Sequence, residues 1–212
     1  MMTRRTLTTL LSTAATVSVI AGCSSGSAAA PASTTPASSS ADAALPHSGA
    51  PKVEHPLPAS ALSGQPCQEA LTSDELKQIL GMAPAGKPDN IPGLGRDCKW
   101  HNSDSGAVVG VGYDVETHGG LSIIYQNTKP QAKVWRELPP IQGFPAVAYM
   151  TSGSDTGTPA DLCLVSVGIA NDLSFDASLG LSDAKRGKAD PCQLTARVAD
   201  MVVTNLRQKA GS

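Results

Sequence analysis

Residues 161–178, DLCLVSVGIANDLSFDAS, hold two short apolar stretches on either side of a turn signal, and this segment decides the fold. Every second position of the first stretch is apolar, which is the period at which strand residues share one face. These positions are Cys163, Val165, Val167 and Ile169. Asn171 and Asp172 supply the chemistry of a hairpin turn before the second stretch. The segment therefore predicts an antiparallel pair of strands.

Further elements precede this hairpin along the chain. AVVGVGYDVE (107–116) alternates in the same way and predicts another strand, and CKWHN (98–102) predicts one before it. The many Pro and Gly residues of 83–96 predict a loop. LPPIQGFPAVAYM (138–150) predicts a loop followed by a strand, and residues 121–127 favour a short helix.

Two helices carry clear boundary signals. In LTSDELKQILG, Thr72 and Glu75 have the spacing of a capping box, and Gly81 stands where a C-cap belongs. Near the end of the chain, Asp190 as N-cap and Pro191 at the first helical position begin a longer helix. The apolar face that should lie across the sheet is formed by Leu194, Val198, Met201, Val202 and Leu206.

The composition fits one modest domain. Of 212 residues 41% are hydrophobic but only 3% are aromatic, so large core side chains are scarce. Strands and helices together predict an α+β fold over residues 65–208, an antiparallel sheet covered by helices, with a short tail over 209–212. The formal net charge is −2 and the charges are scattered, which argues against nucleic acid as a partner.

The beginning of the chain reads as an export signal. Arg4 and Arg5 precede an apolar run too short and too rich in Thr and Ser for a membrane span, so we expect a signal peptide over residues 1–22. VIAGC, ending at Cys23, resembles the bacterial lipobox, whose thiol receives a diacylglyceryl group and becomes the mature N-terminus. This predicts a lipoprotein on the outer face of the cell membrane. The alternatives are a secreted protein with a chance cysteine and, for the export route, a twin-arginine signal at TRRTL.

Residues 23–64 predict a disordered tether between the lipidated Cys23 and the domain. The segment is rich in Ser, Ala, Pro and Thr and has few bulky apolar side chains. Such a composition cannot bury enough apolar surface to offset the entropy of the chain.

Four cysteines besides Cys23 predict two disulfides. An even number in an exported domain is typical of a disulfide framework, and three connectivities are possible. We favour Cys67–Cys98 with Cys163–Cys192, because each bridge then ties the start of a helix to a strand across a loop of about 30 residues. Trp100 would pack on the first bridge. A four-cysteine zinc site or a redox pair is the alternative, but no C-x-x-C spacing occurs.

Several short motifs occur in a fixed order: Pro-Cys before the first helix, Leu-Gly at its end, a Cys-x-Trp strand, and Asp-Pro-Cys at the last helix. In this series the chain resembles the actinobacterial lipoprotein domains grouped as domain of unknown function 3558. The resemblance implies a cell-envelope lipoprotein without an assigned activity, and a sandwich similar to PsbP-like folds. The chain departs from the family at CQEALTSDEL, where paired leucines more usually follow the cysteine, and there are no catalytic residues to carry over.

Candidate catalytic groups are sparse. No nucleophile elbow, P-loop or dinucleotide fingerprint occurs, and GSDTG at 153–157 is a single copy in a polar turn region. His101 and His118 are conceivable as a metal or catalytic pair, although surface positions are the plainer interpretation. Asp114 and Glu116 share a strand face, where we expect exposed acids. We expect no metal and no cofactor.

These observations predict a non-enzymatic, lipid-anchored envelope domain that binds or scaffolds an unknown envelope protein or a hydrophobic ligand. The apolar, Pro-rich stretch from Trp135 to Phe144 is the first candidate for a partner surface. The alternative function is a carrier of a lipid or other hydrophobic small molecule, which needs a cavity between sheet and helices that Gly110 and Gly112 would open. An enzyme would require the two histidines to converge with a carboxylate.

Overall fold

One antiparallel sheet forms the centre of the computed structural model, which describes residues 44–151 and 161–211. Within these ranges the strands are β1 (Lys87–Ile91), β2 (Gly95–His101), β3 (Val108–Asp114), β4 (Val134–Ile141), β5 (Phe144–Met150), β6 (Leu162–Gly168) and β7 (Ser174–Gly180). The α-helices are α1 (Pro66–Glu69), α2 (Ser73–Leu80), α3 (Leu121–Ile123) and α4 (Pro191–Ala210). The spatial order β1-β2-β3-β7-β6-β5-β4 joins two meanders where β3 pairs with β7. The predicted α+β class is confirmed.

The hairpin predicted from residues 161–178 is present as β6 and β7. Val167 lies opposite Phe175 in its register, and the Ile169 amide donates to the Leu173 carbonyl at 3.0 Å to close the turn. Its apolar face is fully buried because α4 packs across both strands. Alternation along the chain therefore identified the core face of β6 correctly.

Helix α4 begins at the predicted residues and continues to Ala210, into the segment predicted as a tail. The Asp190 carboxylate accepts hydrogen bonds from the amides of Cys192 at 2.8 Å and Gln193 at 3.4 Å. Gly211, at φ 73°, ends the helix in the left-handed conformation that glycine adopts without strain. The apolar side chains that α4 buries are Val198, Ala199, Val202, Val203 and Leu206.

Helix α2 has the predicted capping box. The Glu75 amide donates to Thr72 Oγ1 at 3.3 Å, and the Thr72 amide donates to Glu75 Oε2 at 2.7 Å. Gly81 ends the helix at φ 79°. Leu76 and Leu80 are buried, so the helix joins the core on the side of the sheet that α4 covers.

Both predicted disulfides are present, and both join a helix to a strand. The bridges are Cys67–Cys98, with a Cα–Cα distance of 5.1 Å, and Cys163–Cys192, with 5.0 Å. Trp100 is buried beside the first bridge, as predicted. A Cβ atom on Gly86 would lie 2.7 Å from both Cys98 Sγ and Trp100 Nε1, so only glycine fits between the bridge and the indole ring.

Two segments predicted as loops are strands instead. β1 lies within 83–96 and contains Pro88, and β4 contains two prolines where its register shifts between Leu138 and Ile141. The strand order places both at the edges of the sheet. An edge strand needs hydrogen bonds on one side only, so it tolerates proline where a central strand does not.

The predicted helix at 121–127 is irregular. Only Leu121–Ile123 is α-helical, and the chain continues as a π-helical turn over Ile124–Thr128 and a 3-10 turn over Lys129–Gln131. This segment lies over β5 and β6 on the side of the sheet opposite α4.

The tether predicted over 23–64 is wrong for its second half. Residues 44–64, which we call the strap, pack against the domain and include a 3-10 helix at Ala59–Leu62. Val53 and Leu57 are buried in the core, as is Leu62. The domain therefore begins near residue 44 and not at 65.

Backbone hydrogen bonds explain why a segment of this composition is ordered. The Val53 amide donates to Asn171 Oδ1 at 3.0 Å, and the Leu57 amide donates to the Ile169 carbonyl at 2.8 Å. A few well-placed apolar side chains and these two bonds to the end of the β6–β7 hairpin hold the strap. Composition averaged over forty residues conceals such sparse anchors.

Several predicted features lie outside the described residues: the signal peptide, Cys23, the first half of the tether and the GSDTG turn at 153–157. Within the described ranges, no helix combines the length and the apolar character that a bilayer crossing requires.

Candidate functional site

The two faces of the sheet differ in chemistry. The face toward α4 is apolar and closed, and both Val167 and Phe175 are fully buried there. The opposite face carries two groups of side chains that we treat as candidate sites. The acidic cluster is formed by Asp97 on β2, Asp114 on β3 and Asp176 on β7. The aromatic cluster is formed by Tyr125, Trp135 and Tyr149.

Strand register brings the three aspartates together. Asp97, Gly112 and Asp176 lie in one row across β2, β3 and β7, and Asp114 is two residues beyond Gly112 on the same face. Gly112 contributes no side chain, and a Cβ atom there would lie 3.3 Å from Asp97 Oδ2. The glycine thus leaves the space over which the carboxylates approach one another.

A chain of hydrogen bonds orients two members of the acidic cluster. The Ser174 hydroxyl donates to Asp114 Oδ2 at 3.1 Å, and the Ser166 hydroxyl donates to Asp176 Oδ1. Ser166 Oγ also lies 3.3 Å from the hydroxyl of Tyr149. Because the single Ser166 proton is given to Asp176, Tyr149 must be the donor in this contact.

One proton is shared between Asp114 and Asp176 at neutral pH. Burial first, and the Asp176 charge second, raise the pKa of Asp114 to about 9. Burial also raises the pKa of Asp176, to about 6, although the Ser166 hydrogen bond opposes this shift. Both shifts favour the protonated form, so the pair holds a proton at a higher pH than two exposed aspartates do. Burial raises the pKa of Asp97 as well, against the effect of the Lys99 ammonium 3.5 Å away.

The shared proton is enclosed, which limits what the acidic cluster does chemically. Paired carboxylates with one proton are a catalytic device when they face a cleft. Here Asp114 has 2% of its surface exposed, and Ser166 and Ser174 have 0% and 1%. No surface is left at Asp114 for a substrate to approach its proton. Asp114 is therefore enclosed on the second face of the sheet, whereas Asp176 is half-buried.

The aromatic cluster is a small second core. Tyr125 meets Trp135 edge-on at a centroid distance of 5.0 Å, and Trp135 stacks with Tyr149 at 6.1 Å. The Lys129 ammonium lies 4.7 Å from the Tyr125 ring centroid and 5.2 Å from that of Trp135. Trp135 is thus held between two rings and a cation, and it is half-buried.

A groove opens between α2 and α4 on the apolar side of the sheet. The two helices are joined at one end, where Asn205 Nδ2 donates to Glu75 Oε2 at 2.9 Å and to the Ala70 carbonyl at 3.1 Å. Farther along they leave two adjoining depressions of about 260 and 230 Å³ that share five lining residues. We call this the α2–α4 groove. The shared residues are Gln78, Ile79, Leu179, Lys185 and Leu194.

The α2–α4 groove combines an apolar floor with a basic rim. Ile79, Leu194 and Met201 are half-buried along it, so their side chains stay partly open to solvent. Lys185 and Arg197 are exposed at the rim, and neither forms an ion pair within the described part of the chain. The lining residues of both depressions include no aspartate or glutamate.

Most of the chain matches the model of a protein family. The family model described as "Protein of unknown function (DUF3558)" matches residues 18–205. The chain belongs to this family. Comparisons with curated proteins and with solved structures found no match, so the likeness to PsbP-like sandwiches stays a prediction.

In this DUF3558 domain the predicted partner surface is not one surface. Trp135 lies opposite Tyr149 in the β4–β5 pair, whereas Phe144 is an odd number of residues from Tyr149 and faces the other side of the sheet. Phe144 is 5% exposed and packs in the main core. The prediction treated the stretch as a loop, and strand alternation separates its two aromatic residues.

The histidines and acids of the DUF3558 domain do not converge. His101 and His118 are both exposed, at opposite ends of the β2–β3 hairpin. Glu116 is exposed as expected, but Asp114 is buried, which corrects the expectation for that residue, because β3 is a central strand between β2 and β7. Within the described ranges, no three His, Cys, Asp or Glu side chains are arranged to hold a metal ion.

The cavity expected between sheet and helices is also not at the predicted place. Gly110 and Gly112 lie on the side of the sheet away from α4, whereas fully buried side chains such as Val165 and Val202 fill the interface with α4.

The sequence analysis also missed Ser166 and Asp176 as members of a candidate site. Their signal was the same alternation that identified the core, since each occupies a position on the opposite face.

Proposed function

We propose that this DUF3558 protein is a lipid-anchored, extracytoplasmic protein of the cell envelope, attached through Cys23, whose domain binds or scaffolds a partner and catalyses no reaction. The observation that carries the location is the pair of disulfides, Cys67–Cys98 and Cys163–Cys192. Structural disulfides persist in oxidising compartments outside the cytosol. The export signal and its lipobox-like ending support the anchor.

Three observations support a binding role over a catalytic one. Asp114 is buried and leaves no surface for a substrate, and His101 and His118 lie at opposite ends of a hairpin. The α2–α4 groove, by contrast, is open to solvent and has an apolar floor, as ligand-binding grooves have.

The Cys23→Ala substitution tests the anchor. We expect the variant to appear in the culture medium, whereas the unaltered chain sediments with membranes. The substitution removes the Cys23 sulfur that would carry the diacylglyceryl group. Ser24→Ala is the matched control and should stay with membranes. Membrane association of the Cys23→Ala variant as firm as that of the unaltered chain would refute the proposed anchor.

The alternative function, a carrier of a lipid or other hydrophobic small molecule, is favoured by one observation. The α2–α4 groove exposes apolar side chains from both helices, with a volume of about 260 Å³ in its larger part. A carrier built this way would hold its ligand in an open surface groove and not in an enclosed cavity between sheet and helices.

A further inference from the structure

We infer that the α2–α4 groove binds a long-chain fatty acid, with its acyl chain on the apolar floor and its carboxylate beside Lys185 and Arg197. This inference deepens the proposed function: it rests on the domain being a binding domain, and it is independent of how the chain is anchored.

The floor of the groove supplies the apolar part of the argument. Ile79 from α2 and Leu194 and Met201 from α4 face each other across the gap, above Leu179 of β7. Asn205 and Glu75 join the two elements at one end, and beyond it the apolar strip is left partly exposed in the described chain. Covering it with an acyl chain removes apolar surface from water, at roughly 25 cal/mol for each Å² buried.

The charges at the rim of the groove favour a negatively charged ligand. The whole chain is acidic, with a net charge of −2, yet the lining residues of the groove include two cations and no carboxylate. Lys185 is shared by both depressions, and Arg197 is exposed on α4 beside the apolar floor. A carboxylate at the end of an apolar chain complements this arrangement, whereas a cationic amphiphile would be repelled.

The size of the groove argues for one slender chain. The two adjoining depressions, of about 260 and 230 Å³, form a groove near the lower end of the roughly 300–1,000 Å³ range of small-molecule pockets. Because the two depressions adjoin, they form a continuous path that suits a linear acyl chain.

Photolabelling of the full chain tests the inference. A C16 fatty acid with a diazirine in its chain and a terminal alkyne is added to the membrane or soluble fraction of expressing cells, whichever holds the protein. After irradiation, labelled peptides are mapped by mass spectrometry. We expect labels on peptides that contain Ile79, Leu194 or Met201. Because the same labelling runs on either fraction, failure of the anchor and failure of the groove are seen separately.

Matched variants test the charges and the floor. The double variant Lys185→Ala and Arg197→Ala should lower labelling by about fivefold, since each exposed ion pair contributes only a small factor. Lys87→Ala with Lys133→Ala removes the same charge from exposed sites elsewhere and should leave labelling unchanged. Leu194→Gln should lower labelling as well, with intact disulfides in its peptide map showing that the variant has folded.

Three outcomes would overturn the inference. Equal labelling by the corresponding C16 alcohol, which has no carboxylate, would show that Lys185 and Arg197 do not bind the head group. Labelling by the corresponding alkyl phosphate and not by the fatty acid would assign the groove to a phosphate-bearing lipid. If no label falls on peptides of the groove, the groove does not bind the fatty acid, and a protein partner becomes the occupant to test for its apolar floor.

Discussion

At the scale of single residues, the proton between Asp114 and Asp176 links the fold to pH. The unfolded chain releases the Asp114 proton near pH 4, the usual value for aspartate, whereas the folded chain holds it up to about pH 9. The folded state therefore binds more protons across this interval. By linkage, the free energy of unfolding is largest in mild acid and decreases as the pH rises toward 9.

Asp114→Asn should stabilise the domain at alkaline pH. An amide keeps an acceptor for Ser174 and offers a donor to Asp176, and it carries no buried charge. We expect the free energy of unfolding of the variant to exceed that of the unaltered protein by about 1–3 kcal/mol at pH 9, and to differ little at pH 5. Urea denaturation at pH 5, 7 and 9 measures both.

Asp172→Asn is the control, because Asp172 is exposed and should show no such difference. An unfolding free energy that stays constant from pH 5 to 9 in the unaltered protein would contradict the shared proton.

The sequence alone did not predict the pair of Asp114 and Asp176. Alternation places Asp114 and Glu116 on the same face, and only the pairing of β3 with β7 distinguishes the buried acid from the exposed one.

At the scale of elements, helices were predicted better than edge strands. Thr72, Asp190 and their neighbours set the helix boundaries through bonds that span two or three residues, so the signal is local. Strands β1 and β4 contain prolines that favour loops, and they are strands because a neighbour pairs with one of their sides. The strap was missed for a related reason, since its order depends on contacts with distant residues.

Asp190 provides a test at this scale. It accepts two amide hydrogen bonds at the start of α4, and its Oδ2 lies 2.6 Å from Arg136 Nη1. We expect Asp190→Ala to lower the free energy of unfolding by about 1–2 kcal/mol, because both the cap and the ion pair are lost. Asp190→Asn keeps a capping side chain and should cost less than about 1 kcal/mol. Equal losses in the two variants, measured by urea denaturation, would mean that the cap contributes nothing.

At the scale of the whole molecule, the disulfides compensate for a core with few aromatic side chains. The bridges close loops with sequence separations of 31 and 29 residues. Replacing both cysteines of either pair with alanine should lower the free energy of unfolding by about 3–4 kcal/mol, and by similar amounts for the two pairs. Thermal unfolding of the two double variants measures this. A domain equally stable with and without a reductant would show that the bridges do not brace it.

The order of the strands is the part of the fold that local patterns do not contain. Alternation identified β3, β6 and β7 as strands, and the turn at Asn171 joined the last two. The pairing of β3 with β7 connects residues 60 to 72 positions apart, and it unites the two meanders into one sheet. The α2–α4 groove was equally hidden, because it exists only once both helices have packed on that sheet.

The packed strap also sets the reach of the domain. If the chain is held at Cys23, only the 21 residue steps to residue 44 are left to bridge the distance to the folded body. A fully extended chain covers about 3.3–3.6 Å per residue, so the limit is about 70 Å, against about 140 Å had the free segment continued to residue 64. With an anchor at Cys23, residue 44 could lie no farther from the bilayer than this shorter limit.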